Sequence, residues 1–495
     1  MTSSLPSSDR NVIPRWRDPV ATVREGEIGP VRPPRQPYFV NLDSLGTLER
    51  EWEEERSLSF AADLVGSALV VGPSPIAREA ASFVLSQGDE APPLAKAIAE
   101  RLLSTPDDAA GEALVSPTPG EERDRVRRLR DRLSRDPRQT LAWTEMARHF
   151  ASTGSKKRAA RAMQTALSLN PDSRYVIRAA VRLRIHQDEY GKAHDLALAS
   201  AAAAHDPWLA ATELSAAAVA GRRPRLGRVA REMLESGHFL PRSISELASA
   251  LGTLELRAGN DRAARKLFAK SLDVPNENAI AQGEWASRQL RGLDIPPEQR
   301  EASAEARALN FSRAGKWGES LHAAWEWHWD QPFSSRPTVL GSYEASVGRA
   351  YSEGVEIARR GLKANPETFL LQNNLVFCQI GNGELAEARA NFERIHRDKL
   401  DIKEELPTYL ATAGLLAFRT DSPIEGRQLY EEAIRRMRDR KSRTIAQIML
   451  TRELLLQQLP DALELLQEVL RRSAQADDPD LGLWIKHLPE SAGDE

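Results

Sequence analysis

The feature that most constrains this chain is a self-similarity with a period near 34 residues, running from about residue 140 almost to the C-terminus. Thr140 to Asp172 shows the plan. Trp143, Met146, Ala147 and Phe150 fall at helical spacing, and Gly154 sits where a turn is needed. Ala159, Met163 and Ala166 resume the helical spacing, and Pro171 closes the unit. Each residue type has a physical reason. Small residues let two helices cross closely, large apolar ones fill the gap to the next hairpin, and a turn former separates the helices. One such hairpin cannot bury its apolar face alone, so the units must stack.

The same register recurs. Near 245–276 it places Leu251, Gly252, Gly259, Ala264 and Phe268, and near 301–332 Phe311, Gly315, Trp317 and Pro332. Near 335–366 it places Ala345, Tyr351 and Pro366, near 369–402 Leu375, Gly383, Ala388 and Phe392, and near 407–440 Gly414, Tyr430 and Ala433. Degenerate units cover about 174–206 and 207–240, and a helix pair at 443–473 caps the array. In spacing and residue type these units resemble the tetratricopeptide repeat family. Trp143, Ala159, Ala166 and Pro171 match its pattern by identity. The resemblance covers about two-thirds of the chain. It implies an all-α fold, a right-handed α-solenoid of helix hairpins, and a binding architecture that serves many functions.

Around the repeats, residues 1–40 read as a flexible arm. Seven prolines block regular structure, and six arginines stand beside four acidic residues. A solvated tail is expected there, with a docking arm for a partner as the sharper alternative. Residues 41–104 read as a small helical N-terminal domain, with Ser74-Pro75 starting one helix and Gly88 ending it. A linker follows at 105–120. The first array runs over 121–291, a break over 292–300, the second array with its capping helices over 301–473, and an acidic tail over 474–495.

Composition excludes little else. With 68 basic and 71 acidic residues, no global charge pulls the chain toward nucleic acid or membrane. No apolar stretch approaches the roughly 20 residues of a membrane span, and a cytoplasmic protein is expected. The single cysteine, Cys378, rules out an internal disulfide and reads as a buried thiol. No phosphate loop, zinc-protease or nucleophile-elbow motif is present, so no enzyme, cofactor or metal is expected.

The expected function is a protein-interaction scaffold binding a partner segment in the concave face. A nucleic-acid role through the arginine-rich stretches 121–138 and 222–231 is one alternative. A non-catalytic accessory subunit of a larger complex is another. The family resemblance points Thr144, Arg148, Tyr175, Arg178, Arg182, Ser249, Thr253, Tyr343, Asn373 and Phe377 into the groove. Arg178 and Arg182 share a helix face; with Arg148 they form a cationic strip suited to an acidic partner segment. Trp325, Trp327 and Trp329 cannot all face one core, so an exposed aromatic patch is a second candidate site.

Overall fold

The computed structural model describes residues 10–16, 42–71, 74–104, 126–131, 133–134, 137–171, 173–239, 241–459, 461–474 and 479–489. The expected linker 105–120, most of the arm and the last residues of the tail lie outside the described residues. The chain is all-α: among the described residues there is no strand.

Helices Leu42–Glu54, Leu58–Val71, Pro75–Ser86 and Pro93–Ser104 form the N-terminal unit. Trp52, Leu64, Ala80 and Leu102 share its core. Ser74 caps the third helix by accepting from the Ala77 N–H, with Pro75 at the first helical position and Gly88 just beyond the end.

From Thr140 the chain is a series of antiparallel hairpins. Thr140–Ser152 pairs with Lys156–Leu169, Arg174–His186 with Tyr190–Ala199, Pro207–Val219 with Gly227–Glu235, and Pro241–Arg257 with Asp261–Ser271. Later pairs are Ala304–Arg313 with Trp317–Asp330, Ser335–Val347 with Tyr351–Ala364, Phe369–Gly381 with Leu385–Phe392, and Leu406–Arg419 with Pro423–Arg436. Arg440–Leu456 and Ala462–Ala474 end the array. The punctuation follows the sequence. Gly154, Gly259, Gly315 and Gly383 take left-handed conformations between helices. Ser173, Asp206, Asn276 and Ser303 cap first helices through their side chains.

The stretch expected to break the array does not divide it. Glu277–Ser287 keeps the place of a first helix, while its second helix shrinks to Pro297–Glu301. Leu290, Leu293 and Ile295 fill the gap. They share one core cluster with Phe268 before them and Ala306 after them.

The array also curls back on itself. Arg148 donates to the backbone oxygens of Trp329 and Asp330, and Phe333 and Ala364 lie in one cluster with Ala147, Ala151 and Met163. Gly154 sits at this seam with φ +72°, and a Cβ there would stand 2.3 Å from the Lys363 carbonyl oxygen. Gly154→Ala therefore carries a left-handed penalty of about 1–2 kcal/mol and a backbone clash besides. Urea denaturation should show a loss larger than that penalty. An unchanged midpoint would contradict the seam.

Candidate functional site

First helices of successive hairpins line the concave face, and the face is filled by the chain's own N-terminal segment. Residues 10–16, Arg-Asn-Val-Ile-Pro-Arg-Trp, lie against the helices that begin at Arg174, Pro207, Pro241, Glu277 and Ala304. The expectation of a solvated arm is therefore corrected for these residues. Proline blocked the reading because Pro14 cannot join a hydrogen-bonded ladder. The segment needs none, since its side chains and carbonyls make the contacts.

Arg10 is held on all sides. Its Nε and Nη2 donate to the two oxygens of Glu305 at 2.8 and 2.9 Å, Nη1 to Gln282 Oε1 at 2.5 Å, and Nη2 also to Asn278 Oδ1 at 2.9 Å. The backbone is gripped too. Gln282 donates to the Arg10 carbonyl at 2.9 Å and Asn278 to the Ile13 carbonyl at 3.0 Å. Val12 is buried among Ala210, Leu214, Leu247 and Leu251, and Ile13 packs on the cluster of Ile177, Val181 and Leu209. Arg15 meets three carboxylates: Glu277, Asp330 at 2.8 Å and Glu305 at 3.0 Å. Trp16 is 2% exposed and lies 5.4 Å from the Phe333 ring at 60°.

Glu305 is the hub. Only 1% exposed, it pairs with Arg10, Arg15 and Arg336. Burial pushes its carboxyl up, but Arg10, Arg336 and Arg15 outweigh burial and hold it well below the usual carboxylate range. Burial lowers the Arg15 guanidinium, and Glu277, Asp330 and Glu305 more than reverse this. Glu277 is pushed up to about 8, first by burial and then, against the pull of Arg15, by Asp330 and Glu305.

The expected cationic strip is not an open one. Arg178 makes a paired contact with Glu246 at 2.9 and 3.1 Å and lies over the Trp208 ring. Arg182 lies 4.7 Å above Phe333, and burial beside Arg336 and Arg15 lowers its guanidinium to about 10. Arg148 belongs to the seam. Thr144 is buried, and Tyr175 donates to Glu145. Ser249 bonds Ser271, and Thr253 accepts from Gln282.

In the second array the chain's other end covers the groove. The helix Pro479–Lys486, in the stretch expected as an acidic tail, packs on the helices Ser335–Val347 and Arg440–Leu456. Tyr343 donates to Asp480 at 2.9 Å, as do Trp317 at 3.1 Å and Lys441 at 2.6 Å. Phe377 meets Trp484 edge-on at 6.1 Å, and Asn373 is fully buried. Nearby, burial first and then the Asp480 charge push the Glu344 carboxyl up to about 8, against Lys441, Ser312 and Ser320. The folded state therefore favours protonated Glu344. That contribution is complete below the unfolded value near 4.5 and is lost as pH rises through about 8. Glu344→Gln should match wild type at pH 4–5 and exceed it by a few kcal/mol at pH 9 in urea melts. Parallel pH profiles would contradict this.

The three tryptophans divide over two faces. Trp327 is buried, while Trp325 and Trp329 are half-buried, stacked 5.9 Å apart with Arg360 over both rings. None is fully exposed. Cys378 is buried and its thiol is pushed up to about 12 by burial. Among the described residues no helix is long and apolar enough to cross a membrane, and no group of His, Cys, Asp and Glu is placed to hold a metal.

Sequence reading missed the acidic side of the groove. Glu246, Glu277 and Glu305, all on first helices, are buried; Glu246 pairs with Arg178, and the other two with the arginines of segment 10–16. A carboxylate recurring on core-forming helices was the available signal.

The fold and groove define a tetratricopeptide-like α-solenoid whose concave face holds a peptide segment. No family model matches the chain, and no curated protein matches it. Among solved structures it is similar to a Cut9 chain of the APC/C Cut9–Hcn1 hetero-tetramer, at 13% identity and TM-score 0.41, covering 90% of this chain and 86% of that one. It is also similar to human IFIT1 in a dimer with m7Gppp-AAAA, at 14% identity and TM-score 0.34, covering 73% and 96%. Yeast Tom70 is a third, at 13% identity and TM-score 0.29, covering 90% and 93%. These likenesses are distant, and the fold is read from the hairpins themselves.

Proposed function

We propose that the protein is a binding scaffold, not an enzyme, whose concave groove in the first array receives a segment of protein chain. The observation that carries this reading is the seven-residue segment Arg10–Trp16 lying in that groove, gripped at its backbone by Asn278 and Gln282 and at its side chains by Glu305, Glu277 and Asp330. Main-chain contacts hold a segment in place, and side-chain pockets select it. The groove's carboxylates favour a basic segment over the acidic one that a cationic strip would take.

The test uses the full chain with Arg10→Glu and Arg15→Glu, which expels its own segment by charge repulsion. A peptide of residues 8–18 is titrated in by calorimetry. One-to-one saturable binding, on the order of micromolar, is the expected result, and Glu305→Gln added to the same chain abolishes it. No heat at millimolar peptide, with the chain still helical by circular dichroism, would refute the reading.

A further inference from the structure

Segment 10–16 is more than a filler of apolar space, because it completes a charged site. Glu277, Glu305 and Asp330 are buried or nearly so. Covering these carboxylates without pairing them is costly, so a segment docks here only if it brings cations to these places. Whatever replaces the chain's own segment must return the same charges to the same points.

We infer that residues 10–16 occupy the site of a partner's segment with the same pattern: an arginine, four intervening residues with apolar side chains at the second and third, a second arginine, then an aromatic ring. The partner gains the groove by exchange with the chain's own segment. This rests on the binding-groove reading above.

Each element of the pattern has a contact behind it. The first position requires arginine and not lysine. Its guanidinium makes a two-pronged contact with Glu305 and also reaches Gln282 and Asn278. A lysine ammonium has three donors and no planar fork. The second position lies between Glu277, Asp330 and Glu305, which converge from three helix ends. The spacing is fixed because Glu305 touches both arginines, and because Asn278 holds the Ile13 carbonyl between them. An inserted residue would leave one arginine out of reach. The last position reads ring surface alone. The Trp16 indole N–H is buried without a hydrogen-bond partner, so phenylalanine meets the same pocket without losing a bond.

The chain's own segment has a kinetic and thermodynamic advantage, since it is tethered. Its docking is intramolecular and draws no second molecule out of solution. The groove is therefore closed to weak or ill-matched segments and open to a matched one presented at high affinity or valency.

The experiment uses the full chain in two forms, wild type and Arg10→Glu with Arg15→Glu, and fluorescein-labelled peptides read by anisotropy. The peptides are residues 8–18 as they stand, the same with one glycine inserted after Ile13, the same with both groove arginines as lysine, and the same with phenylalanine for Trp16. Against the double variant, the native peptide and the phenylalanine peptide should bind within about threefold of each other, and the inserted and lysine peptides at least about tenfold more weakly. Wild type should bind the native peptide at least about tenfold more weakly than the double variant does. Should the double variant fail to fold, Trp16→Ala, which keeps both arginines, takes its place. Equal binding of the inserted peptide would overturn the spacing while leaving a peptide groove standing. Equal binding of the native peptide by wild type and variant would overturn the exchange. No binding of any peptide to a folded variant would instead sink the binding-groove reading itself.

Discussion

Glu305→Ala should cost the chain about 3–5 kcal/mol of stability and release residues 10–16 in the same step. Glu305 is the shared partner of Arg10, Arg15 and Arg336, and its carboxylate is almost fully buried. Removing one partner of a buried pair leaves an uncompensated charge in a medium that solvates it poorly. Arg10 and Arg15 relieve their loss by leaving with the segment. Arg336 cannot leave, because it belongs to the helix Ser335–Val347 and lies 5.1 Å from the Trp327 ring. Its remaining contact is with that ring, and Arg182 stands nearby as a like charge. Urea unfolding followed by circular dichroism measures the total. A loss below about 1 kcal/mol, the size found for exposed pairs, would show that the network is solvated and that the groove is not organised around Glu305.

Trp16→Ala should act on the segment and spare the solenoid. Truncating a buried tryptophan costs about 3–5 kcal/mol where the site cannot collapse. Here the loss falls on the docking equilibrium alone, because the segment can detach while the hairpins stay folded. The measurement is trypsin cleavage after Arg10 and Arg15, whose side chains are buried in the docked state. With opening fast relative to cleavage, the rate follows the open population, and a loss of about 3 kcal/mol raises it by about two orders of magnitude. The melting temperature of the array should move little. Slow cleavage unchanged from wild type would place the anchoring elsewhere in the segment. A collapse of the melting temperature would make Trp16 part of the solenoid core.

The hairpin array was legible because its determinants are local. Gly154, Gly259, Gly315 and Gly383 mark turns that need a left-handed residue, and Ala159, Ala166 and Ala264 sit where helices cross. Each signal lies within one unit. The groove was not legible because its determinants are remote. Arg178 finds Glu246 across 68 residues, and Arg10 finds Glu305 across 295. Read along the chain, Arg148, Arg178 and Arg182 look like surface cations on a concave face. Only the stacking of hairpins shows that a carboxylate or a ring from another unit reaches Arg178 and Arg182, and a remote backbone Arg148. The tryptophan run was half legible. Helix geometry says that Trp325, Trp327 and Trp329 cannot share a face, and they do not. Trp325 and Trp329, four apart, stack together, and Arg360 from the next hairpin covers them. That cover has no trace in the local sequence.

The central claim is that residues 10–16 lie inside the concave groove of the intact chain. Fluorine NMR tests it most directly, with 5-fluorotryptophan at all ten tryptophan positions and Trp16 assigned by its loss in Trp16→Phe. A soluble gadolinium chelate broadens the signals of rings it can approach. The Trp16 signal should stay sharp in wild type, as befits a ring 2% exposed, and should broaden in the Arg10→Glu, Arg15→Glu chain. A Trp16 signal that the chelate broadens in wild type would place the segment in solvent and contradict the account.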